Sequence, residues 1–220
     1  MRQNPSFSLT HPMAIKQLIR ENPWAILVSH TSEGLVASHY PIVVDERCED
    51  LSILTHVGRP DDLVHELGSG ELLVIVQGPH GYISPGWYDA KPAVPTWNFV
   101  TAHLAGVPEL LSAQENLQVL EALVDHFENQ LPEPRPMLGT PGDAAYAERL
   151  QQGTVGVRLT PTRVTAKAKL SQNKPPHVVE SVLQHLEGDG PYAQPALAAA
   201  MREAHSRRAP GEQWVREHWN

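Results

Sequence analysis

Three short segments decide how this sequence is interpreted: Gln77-Gly-Pro-His-Gly-Tyr-Ile-Ser-Pro-Gly-Trp-Tyr88, Val94-Pro-Thr-Trp-Asn-Phe99 and Lys167-Ala-Lys-Leu-Ser-Gln-Asn-Lys174. Together they concentrate aromatic, proline, lysine and hydrogen-bonding residues in stretches whose polarity alone would predict ordinary loops. Tryptophan and tyrosine rings are costly to leave in water, and when buried they usually need a partner for the N–H or O–H. The segments are therefore predicted to line a pocket for a flat ligand or to face another subunit.

Composition narrows the class of protein. The chain has 220 residues, enough for a sizeable core, and 25 acidic against 17 basic residues, for a net charge of −8. Such a chain has no excess positive field to hold a polyanion, so no direct nucleic-acid partner is expected. The single cysteine, Cys48, excludes an internal disulfide framework and fits a cytoplasmic protein. No apolar run has the length of a signal peptide core or a membrane span, so no membrane contact is expected.

Apolar patterning predicts antiparallel strands flanked by helices. Trp24 to His30 and Leu35 to Val44 alternate around Ser32-Glu33-Gly34, which predicts a hairpin. Further strands are predicted over 51–57, 71–77, 96–111 and 154–169. Ser112 and Glu115 have the spacing of a capping box that opens a helix. Other helices are predicted after Thr10, over 61–67, after the proline-rich connector 131–142, and twice in the C-terminal region.

These elements predict an α+β protein, mainly β: a small barrel with helices packed on its outside. The sheet is too small to cover both of its faces, which favours a homodimer. We predict two domains. Residues 1–175 form the barrel domain with a helical insertion at 112–152, and residues 176–220 form a C-terminal helical extension.

The three segments, in this order, resemble the PaiB-type proteins, which are described as FMN-binding negative transcriptional regulators. The resemblance runs from about Phe7 to about Arg207. It implies a split β-barrel related to pyridoxamine-phosphate oxidases, assembled as a homodimer with the cofactor pocket at the subunit interface. Some PaiB-like proteins are instead haem enzymes, piperazate synthases, which close N5-hydroxyornithine into a cyclic hydrazine by forming an N–N bond. The resemblance leaves the choice between FMN and haem b open.

Flavin-binding split barrels hold the FMN phosphate with clustered arginine and lysine side chains. The second strand here has none, and the next segment offers only Arg59, which Asp61 and Asp62 follow closely. Two carboxylates would repel a dianionic phosphate. Lys167 and Lys169 could supplement the site, because strand alternation puts both side chains on one face. With Lys174 they are candidates for phosphate or propionate contacts, or else a solvated basic edge.

His65 decides the haem interpretation. In the short predicted helix, Leu63 and Leu67 define the buried stripe, and His65 is expected to project away from it. Such a histidine is either solvated or the axial ligand of haem, since histidine is the usual proximal ligand of haem iron. His56 and His39 either line the same pocket or are structural. Trp87 and Trp97 either stack on the cofactor ring or pack at the subunit interface.

The favoured function is that of a haem-dependent piperazate synthase acting on a hydroxyornithine-like substrate. In this interpretation His65 is axial to haem iron, and Arg59 holds the substrate α-carboxylate. His56, Trp87, Trp97, Lys167 and Lys169 bind the cofactor. The alternative from another class is an FMN-binding regulator that performs no chemistry, and a third is a flavin-dependent oxidoreductase.

Overall fold

The computed structural model describes residue 1 and residues 4–88 and 92–206. Within these residues the chain forms eight β-strands and six α-helices. The strands are β1 (Trp24–Thr31), β2 (Gly34–Val44), β3 (Ile53–Gly58), β4 (Leu72–Ile83), β5 (Thr96–Gly106), β6 (Glu109–Leu110), β7 (Thr154–Leu159) and β8 (Arg163–Lys169). The helices are α1 (Pro12–Glu21), α2 (Asp61–Val64), α3 (Ala113–Glu128), α4 (Pro141–Leu150), α5 (Pro176–Glu187) and α6 (Pro195–Ser206).

The strands are hydrogen-bonded in the order β6-β7-β3-β2-β1-β4-β5-β8. The predicted fold class is confirmed: the protein is mainly β, with a split-barrel sheet and peripheral helices. The β1–β2 hairpin is also confirmed, with Trp24 opposite Pro41 at one end and Thr31 opposite Gly34 at the other. Gly34 has a φ of +122°, a conformation that side chains rarely adopt, so glycine suits the last position of this tight turn.

Three sequence predictions about strands are wrong. The single strand predicted over 96–111 is two strands, β5 and β6, which are separated at Val107 and Pro108 and have different neighbours in the strand order. The single strand predicted over 154–169 is two strands, β7 and β8, because Pro161 has no N–H to donate and the chain turns there. The backbone N–H of Thr162 instead donates to the carbonyl of Ala105 at 2.9 Å. The strand predicted to end at Gln77 continues to Ile83. Gly78, Pro79 and Gly81 therefore lie inside a strand rather than in the loop that their types suggest.

The chain divides into two compact units. The first, here called the barrel unit, comprises Thr10–Val76 and Ala102–Thr165. The second, here called the motif unit, comprises Met1–Leu9, Gln77–Thr101 and the chain from Ala166 onward. Helices α5 and α6 pack against Ile83 in the second half of β4, and all three lie in the motif unit. The predicted boundary between residues 175 and 176 stays a prediction, and residues 207–220 of the predicted extension lie outside the described residues.

Helices cover part of the barrel unit. The capping box that opens α3 is present as predicted: the Ser112 hydroxyl accepts from the Glu115 N–H, and the Glu115 carboxylate accepts from the Ser112 N–H. Val119 and Leu123 of α3 pack against Val43 and Leu54 of the sheet. Helix α1 buries three apolar residues of one face and begins at Pro12, one residue later than predicted. The helix cap is His11, whose Nδ1 accepts from the Met13 N–H at 3.3 Å.

The motif unit has a core of its own. Apolar side chains of α5 and α6 pack against Ile83 of β4 and against Leu170, which follows β8. The buried helix residues are Val179, Val182, Leu183, Leu186, Leu197, Ala198 and Met201. This core packs Ile83 of the first quoted segment and Leu170 of the third against the same two helices.

Candidate functional site

In the barrel unit, a buried histidine lies between two serine hydroxyls. His65 is the C-cap of α2, and its side chain is only 2% exposed. Its Nδ1 is hydrogen-bonded to Oγ of Ser29 at 2.9 Å, and its Nε2 to Oγ of Ser38 at 3.0 Å. In the β1–β2 register Ser29 is opposite Val36 and Ser38 is opposite Leu27. The two serines are therefore diagonal neighbours on one face of the hairpin, and the imidazole spans them.

The neighbouring bonds define which ring nitrogen carries the proton. Ser38 Oγ donates to Oδ2 of Asp61 at 3.2 Å. A hydroxyl has one proton and a carboxylate only accepts, so Ser38 must accept from the Nε2–H of His65. Nδ1 then accepts from the Ser29 hydroxyl. Burial lowers the pKa of His65, and the nearby Asp61 carboxylate only partly opposes this, so the neutral ring is favoured.

The predicted position of His65 is wrong. Leu63 and Leu67 were expected to define the buried stripe of this helix, with His65 projecting away. Instead Leu63 is 73% exposed, and His65 is among the most buried polar residues of the described chain. The reason is that α2 has only four residues, and one turn of helix has no apolar stripe along its length. The imidazole ring faces the β1–β2 hairpin because the hydroxyls of Ser29 and Ser38 form hydrogen bonds with its two nitrogens there.

The hydrogen-bond chain continues from Asp61 toward β3. The Tyr40 hydroxyl donates to Oδ2 of Asp61 at 2.7 Å and accepts from the Gly58 N–H at 3.1 Å. Burial raises the pKa of Tyr40, and the hydrogen bond to Asp61 raises it further. The His56 ring meets the Tyr40 ring edge-on, with centroids 6.0 Å apart. Burial lowers the pKa of His56, whose Nδ1 has no hydrogen-bond partner among the described residues.

Arg59 is close in sequence to this network, but its side chain pairs with Asp62 and not with Asp61. Its Nη1 is 2.9 Å from Oδ2 of Asp62, and its side chain is more than half exposed. Asp61 accepts from Tyr40 and Ser38, so both carboxylates at the start of α2 have partners within the protein. A dianionic phosphate does not fit there, because it would face two carboxylates and a single arginine that is already paired.

The structure brings the three quoted segments together in the motif unit. Nδ2 of Asn98 donates to Oγ of Ser171 at 2.8 Å, which joins the second segment to the third. Ser171 has a φ of +62°, a strained value for a serine, and this bond holds it there. Trp97 meets two rings of the first segment, with centroids 6.5 Å from His80 and 6.2 Å from Tyr82. The segments therefore share a packing role.

The lysines of the third segment lie among aromatic and hydroxyl groups. Lys169 Nζ donates to Oγ1 of Thr96, and Lys167 Nζ lies 5.7 Å from the ring centroids of both Phe7 and Phe99. Lys174 Nζ lies 5.0 Å from the centroid of Tyr88. Burial lowers the pKa of Lys169, and the positive charges of Lys167 and Lys174 lower it further. Lysines that repel one another in this way fit an anionic group, such as a phosphate or a carboxylate.

The two tryptophans differ in their surroundings. Trp97 is 55% exposed, which leaves ring surface free for a partner. Trp87 is half-buried and stacks on His185 of α5, with centroids 4.9 Å apart and planes 12° apart. Beside it is a cavity of about 390 Å³, whose lining includes Ser84, Trp87, His185 and the loop Gly188–Tyr192.

Sequence reasoning found His65, His56 and Arg59 but missed the hydroxyl groups that connect them. Ser29 and Ser38 come from different strands, and only the pairing register brings them to one ring. The signal available in the sequence was the alternation of β1, where Ser29 falls on the same face as Ala25 and Leu27. A serine on an apolar strand face needs a hydrogen-bond partner.

Known proteins match most of this chain. The family model described as "Putative FMN-binding domain" matches residues 1–163. The chain belongs to this FMN-binding domain family. Among curated relatives, it is 27% identical over 185 residues to the Protease synthase and sporulation protein PAI 2 of Bacillus subtilis, covering 83% of this chain and 87% of that protein. An uncharacterized Emericella nidulans protein, AN0679, is 26% identical over 229 residues, with 86% and 91% coverage.

Solved structures share the fold. The FAD and haem binding protein from Mycobacterium smegmatis has a TM-score of 0.54 at 17% identity and covers 74% of this chain and 73% of its own. The flavocytochrome Anf3 from Azotobacter vinelandii has a TM-score of 0.56 at 16% identity, with 76% and 72% coverage. At such identities the likeness shows the fold alone. In the described part of the chain, no helix is long and apolar enough to cross a membrane.

Proposed function

We propose that this protein is a haem-binding member of the family, in which His65 supplies the axial nitrogen and the protein acts as a piperazate synthase. It would take a hydroxyornithine-like substrate and act as a homodimer in the cytoplasm. The observation that carries the proposal is the setting of His65. Axial and metal-bound histidines typically have one ring nitrogen on the metal and the other in a hydrogen bond that fixes the ring. Ser29 provides that second bond.

The start of α2 supports haem over FMN at this position. Asp61 and Asp62 disfavour the flavin phosphate, whereas a neutral buried imidazole is the form of histidine that ligates iron. Two proteins that share this fold are consistent with either cofactor, since one is described as an FAD and haem binding protein and the other as a flavocytochrome. Ligation of iron at Nε2 would require the imidazole ring to give up its hydrogen bond to Ser38.

The reaction is an intramolecular dehydration. The α-amine nitrogen of N5-hydroxyornithine attacks the hydroxylamine nitrogen, the N–N bond forms as the N–O bond breaks, and the hydroxyl leaves as water with a proton from the amine. No external oxidant or reductant is needed. When bound, haem iron supplies the Lewis acidity that weakens the N–O bond. The protein folds the flexible substrate chain so that the two nitrogens meet and excludes competing water.

Arg59 is proposed to bind the substrate α-carboxylate. Its guanidinium is largely exposed, and its contact with Asp62 leaves other N–H donors to form a bidentate pair. His56, with a neutral ring and a buried Nδ1 that has no described partner, is proposed to bind the same cofactor from β3. Lys167, Lys169, Trp87 and Trp97 remain predictions as cofactor contacts.

The homodimer is supported by an apolar sheet face in the barrel unit. Trp24 and Leu35 are 63% and 77% exposed, and the β1–β2 and β1–β4 registers put both on one face with half-buried apolar neighbours. These neighbours are Ile26, Val28, Leu73 and Ile75. An exposed apolar face of this kind is typical of a subunit interface.

A second candidate function is an FMN-binding regulator without chemistry of its own. The observation that favours it is the cluster of Lys167, Lys169 and Lys174 in the motif unit, since mutual repulsion at Lys169 would be relieved by a phosphate. Membership of an FMN-binding family points the same way.

The visible spectrum of the freshly purified protein separates the two candidates. A Soret band is the result expected for haem, and paired flavin bands would favour FMN. Conversion of N5-hydroxyornithine by the purified protein, followed by mass spectrometry for loss of one water, then tests the ring closure. Absence of product from haem-loaded protein would contradict the synthase assignment.

A further inference from the structure

The cavity of about 390 Å³ in the motif unit lies at the C-terminal end of α5. One part of its lining comes from the segment that follows β4 and includes Ser84 and Trp87. The rest comes from the last turn of α5 and from the loop Gly188–Tyr192. The volume falls within the range of small-molecule sites, about 300–1,000 Å³. The cavity is therefore large enough for a small organic ligand.

Contacts within the motif unit hold both parts of this lining in place. Ser181 Oγ of α5 donates to the carbonyl of Trp87 at 2.7 Å, and the Trp87 ring stacks on His185, one turn further along the helix. The N–H of Gln194 donates to the carbonyl of Leu186 at 2.8 Å, which returns the chain to α5 after the loop. The cavity is therefore formed before any ligand binds, and a preformed site lowers the entropic cost of binding.

The charges around the cavity favour a cation. Asp189 lines it, and in the described part of the chain its exposed carboxylate has no hydrogen-bond or ion-pair partner. The last turn of α5, with Gln184 and His185, presents the negative end of the helix dipole. No lysine or arginine is among the described residues that line the cavity. An anion is disfavoured there, because it would face the carboxylate and the helix end without a positive partner.

The aromatic rings of the cavity suit the same class of ligand. Trp87 and Tyr192 both line it, and the faces of aromatic rings attract cations. Tyr192 is 51% exposed and meets Tyr82 with ring centroids 5.1 Å apart, which positions the ring while half of the residue stays accessible. Ser84 Oγ accepts from the Gly86 N–H at 3.2 Å and has a second lone pair for another donor. Acceptor oxygens beside aromatic rings suit an ammonium group, which combines a positive charge with N–H donors.

We propose that this cavity is a binding site for a small organic ammonium ion, the protonated form of a primary amine. Asp189 balances the ammonium charge, and Ser84 accepts one of its N–H groups. Trp87 and Tyr192 contact its carbon chain and attract its charge. The site lies wholly within the motif unit and uses neither His65 nor a cofactor. It is therefore independent of the proposed function, and either can fail without the other.

The test is a titration of the full-length protein with n-butylammonium chloride, followed by NMR at the backbone amides of Gly188 and Tyr192. At about pH 8 an alkylamine keeps its proton, whereas an ordinary histidine is mostly neutral. We expect saturable shifts of both amides. n-Butanol has the same carbon chain without the charge and should bind at least about threefold more weakly. Absence of saturable shifts with butylammonium, or equal affinity for n-butanol, would overturn the proposal.

Variants of two exposed residues, which should leave the fold intact, locate the site. Asp189→Asn should weaken butylammonium binding by about three- to fivefold, as for a partly exposed ion pair, and should reduce its dependence on added salt. Tyr192→Leu should weaken binding by about twofold or more, whereas Tyr192→Phe keeps the ring and should bind as the wild type does. Asp50→Asn, the control, removes the same charge from an exposed position of the barrel unit and should change nothing. Unchanged affinity in Asp189→Asn would overturn the proposed site.

Discussion

Ser32 donates both its backbone N–H and its hydroxyl to Oε1 of Glu66, the residue that follows His65. These two hydrogen bonds link the turn of the β1–β2 hairpin to the end of α2, at the residue next to the buried imidazole of His65. Glu66 has a φ of +47°, which is strained for a residue with a side chain, and the carboxylate contact compensates. Both hydrogen bonds lower the pKa of Glu66, consistent with acceptance by the charged form.

Removal of this carboxylate should loosen the hairpin turn. In Glu66→Ala the Ser32 amide loses its acceptor, so its hydrogen exchange should accelerate by at least about tenfold relative to the wild-type protein. Glu66→Gln keeps an oxygen acceptor and should show a smaller effect. Amide exchange measured by NMR at fixed pH checks this, and an unchanged Ser32 rate in Glu66→Ala would show that the contact does not hold the turn.

Acid should destabilise the barrel unit through Asp45. Its carboxylate contacts Nε of Arg47 at 2.8 Å and Nε of Arg158 at 3.2 Å, and the Arg47 hydrogen bond lowers its pKa to about 2. The pKa is lower in the folded than in the unfolded chain, so this stabilisation is complete above the ordinary value of 3.8 and is lost as pH falls toward 2. The shift corresponds to about 2 kcal/mol.

The measurement is urea unfolding of wild type and Asp45→Asn from pH 7 to pH 2.5. The variant should be less stable by about 2 kcal/mol or more at pH 7, and the difference should shrink as pH falls. Asp50→Asn, an exposed aspartate in the same loop, is the control and should have little effect. A constant difference across the whole pH range would mean that the variant acts through packing rather than through charge.

The sheet face around Leu35 should mediate self-association. Leu35→Glu introduces a charge among apolar side chains on the face that Trp24 shares, and burial of an unpaired carboxylate in an interface is costly. We expect wild type to be a dimer by light scattering at micromolar concentration and the variant to be a monomer. Leu131→Glu, an exposed leucine outside the sheet, should remain dimeric. A monomeric wild type would contradict the dimer proposal.

Isolated protein should not bind duplex DNA specifically. The net charge of −8 provides no field to attract phosphates, so no salt-sensitive, sequence-specific complex is expected in a fluorescence anisotropy titration. Tight binding to one duplex that survives an excess of unrelated competitor DNA would contradict this prediction and support a regulator that binds DNA directly.

Much of the fold could be predicted because its signals are local. Alternation identified the hairpin of β1 and β2, and the Ser112–Glu115 spacing identified the start of α3. The extension of β4 to Ile83 could not be predicted from local signals. Gly78, Pro79 and Gly81 have the composition of a turn, and only pairing with neighbouring strands keeps them extended.

The candidate site was less accessible to sequence reasoning. His65 was found as a residue, but its burial was missed, since its environment is formed by Ser29 and Ser38 from two strands about thirty residues away. A pattern within one short helix has no information about such partners. The lysines of the third segment were found together because alternation along one strand is a local property.

The central claim, that His65 is the axial ligand of haem, is tested most directly by haemin titration of wild type, His65→Ala and His177→Ala apo proteins. We predict a saturable Soret shift for wild type and for His177→Ala, whose histidine is exposed on α5. For His65→Ala we predict affinity reduced by more than about 100-fold, with far-ultraviolet circular dichroism unchanged. An unchanged Soret band and affinity in His65→Ala would contradict the claim.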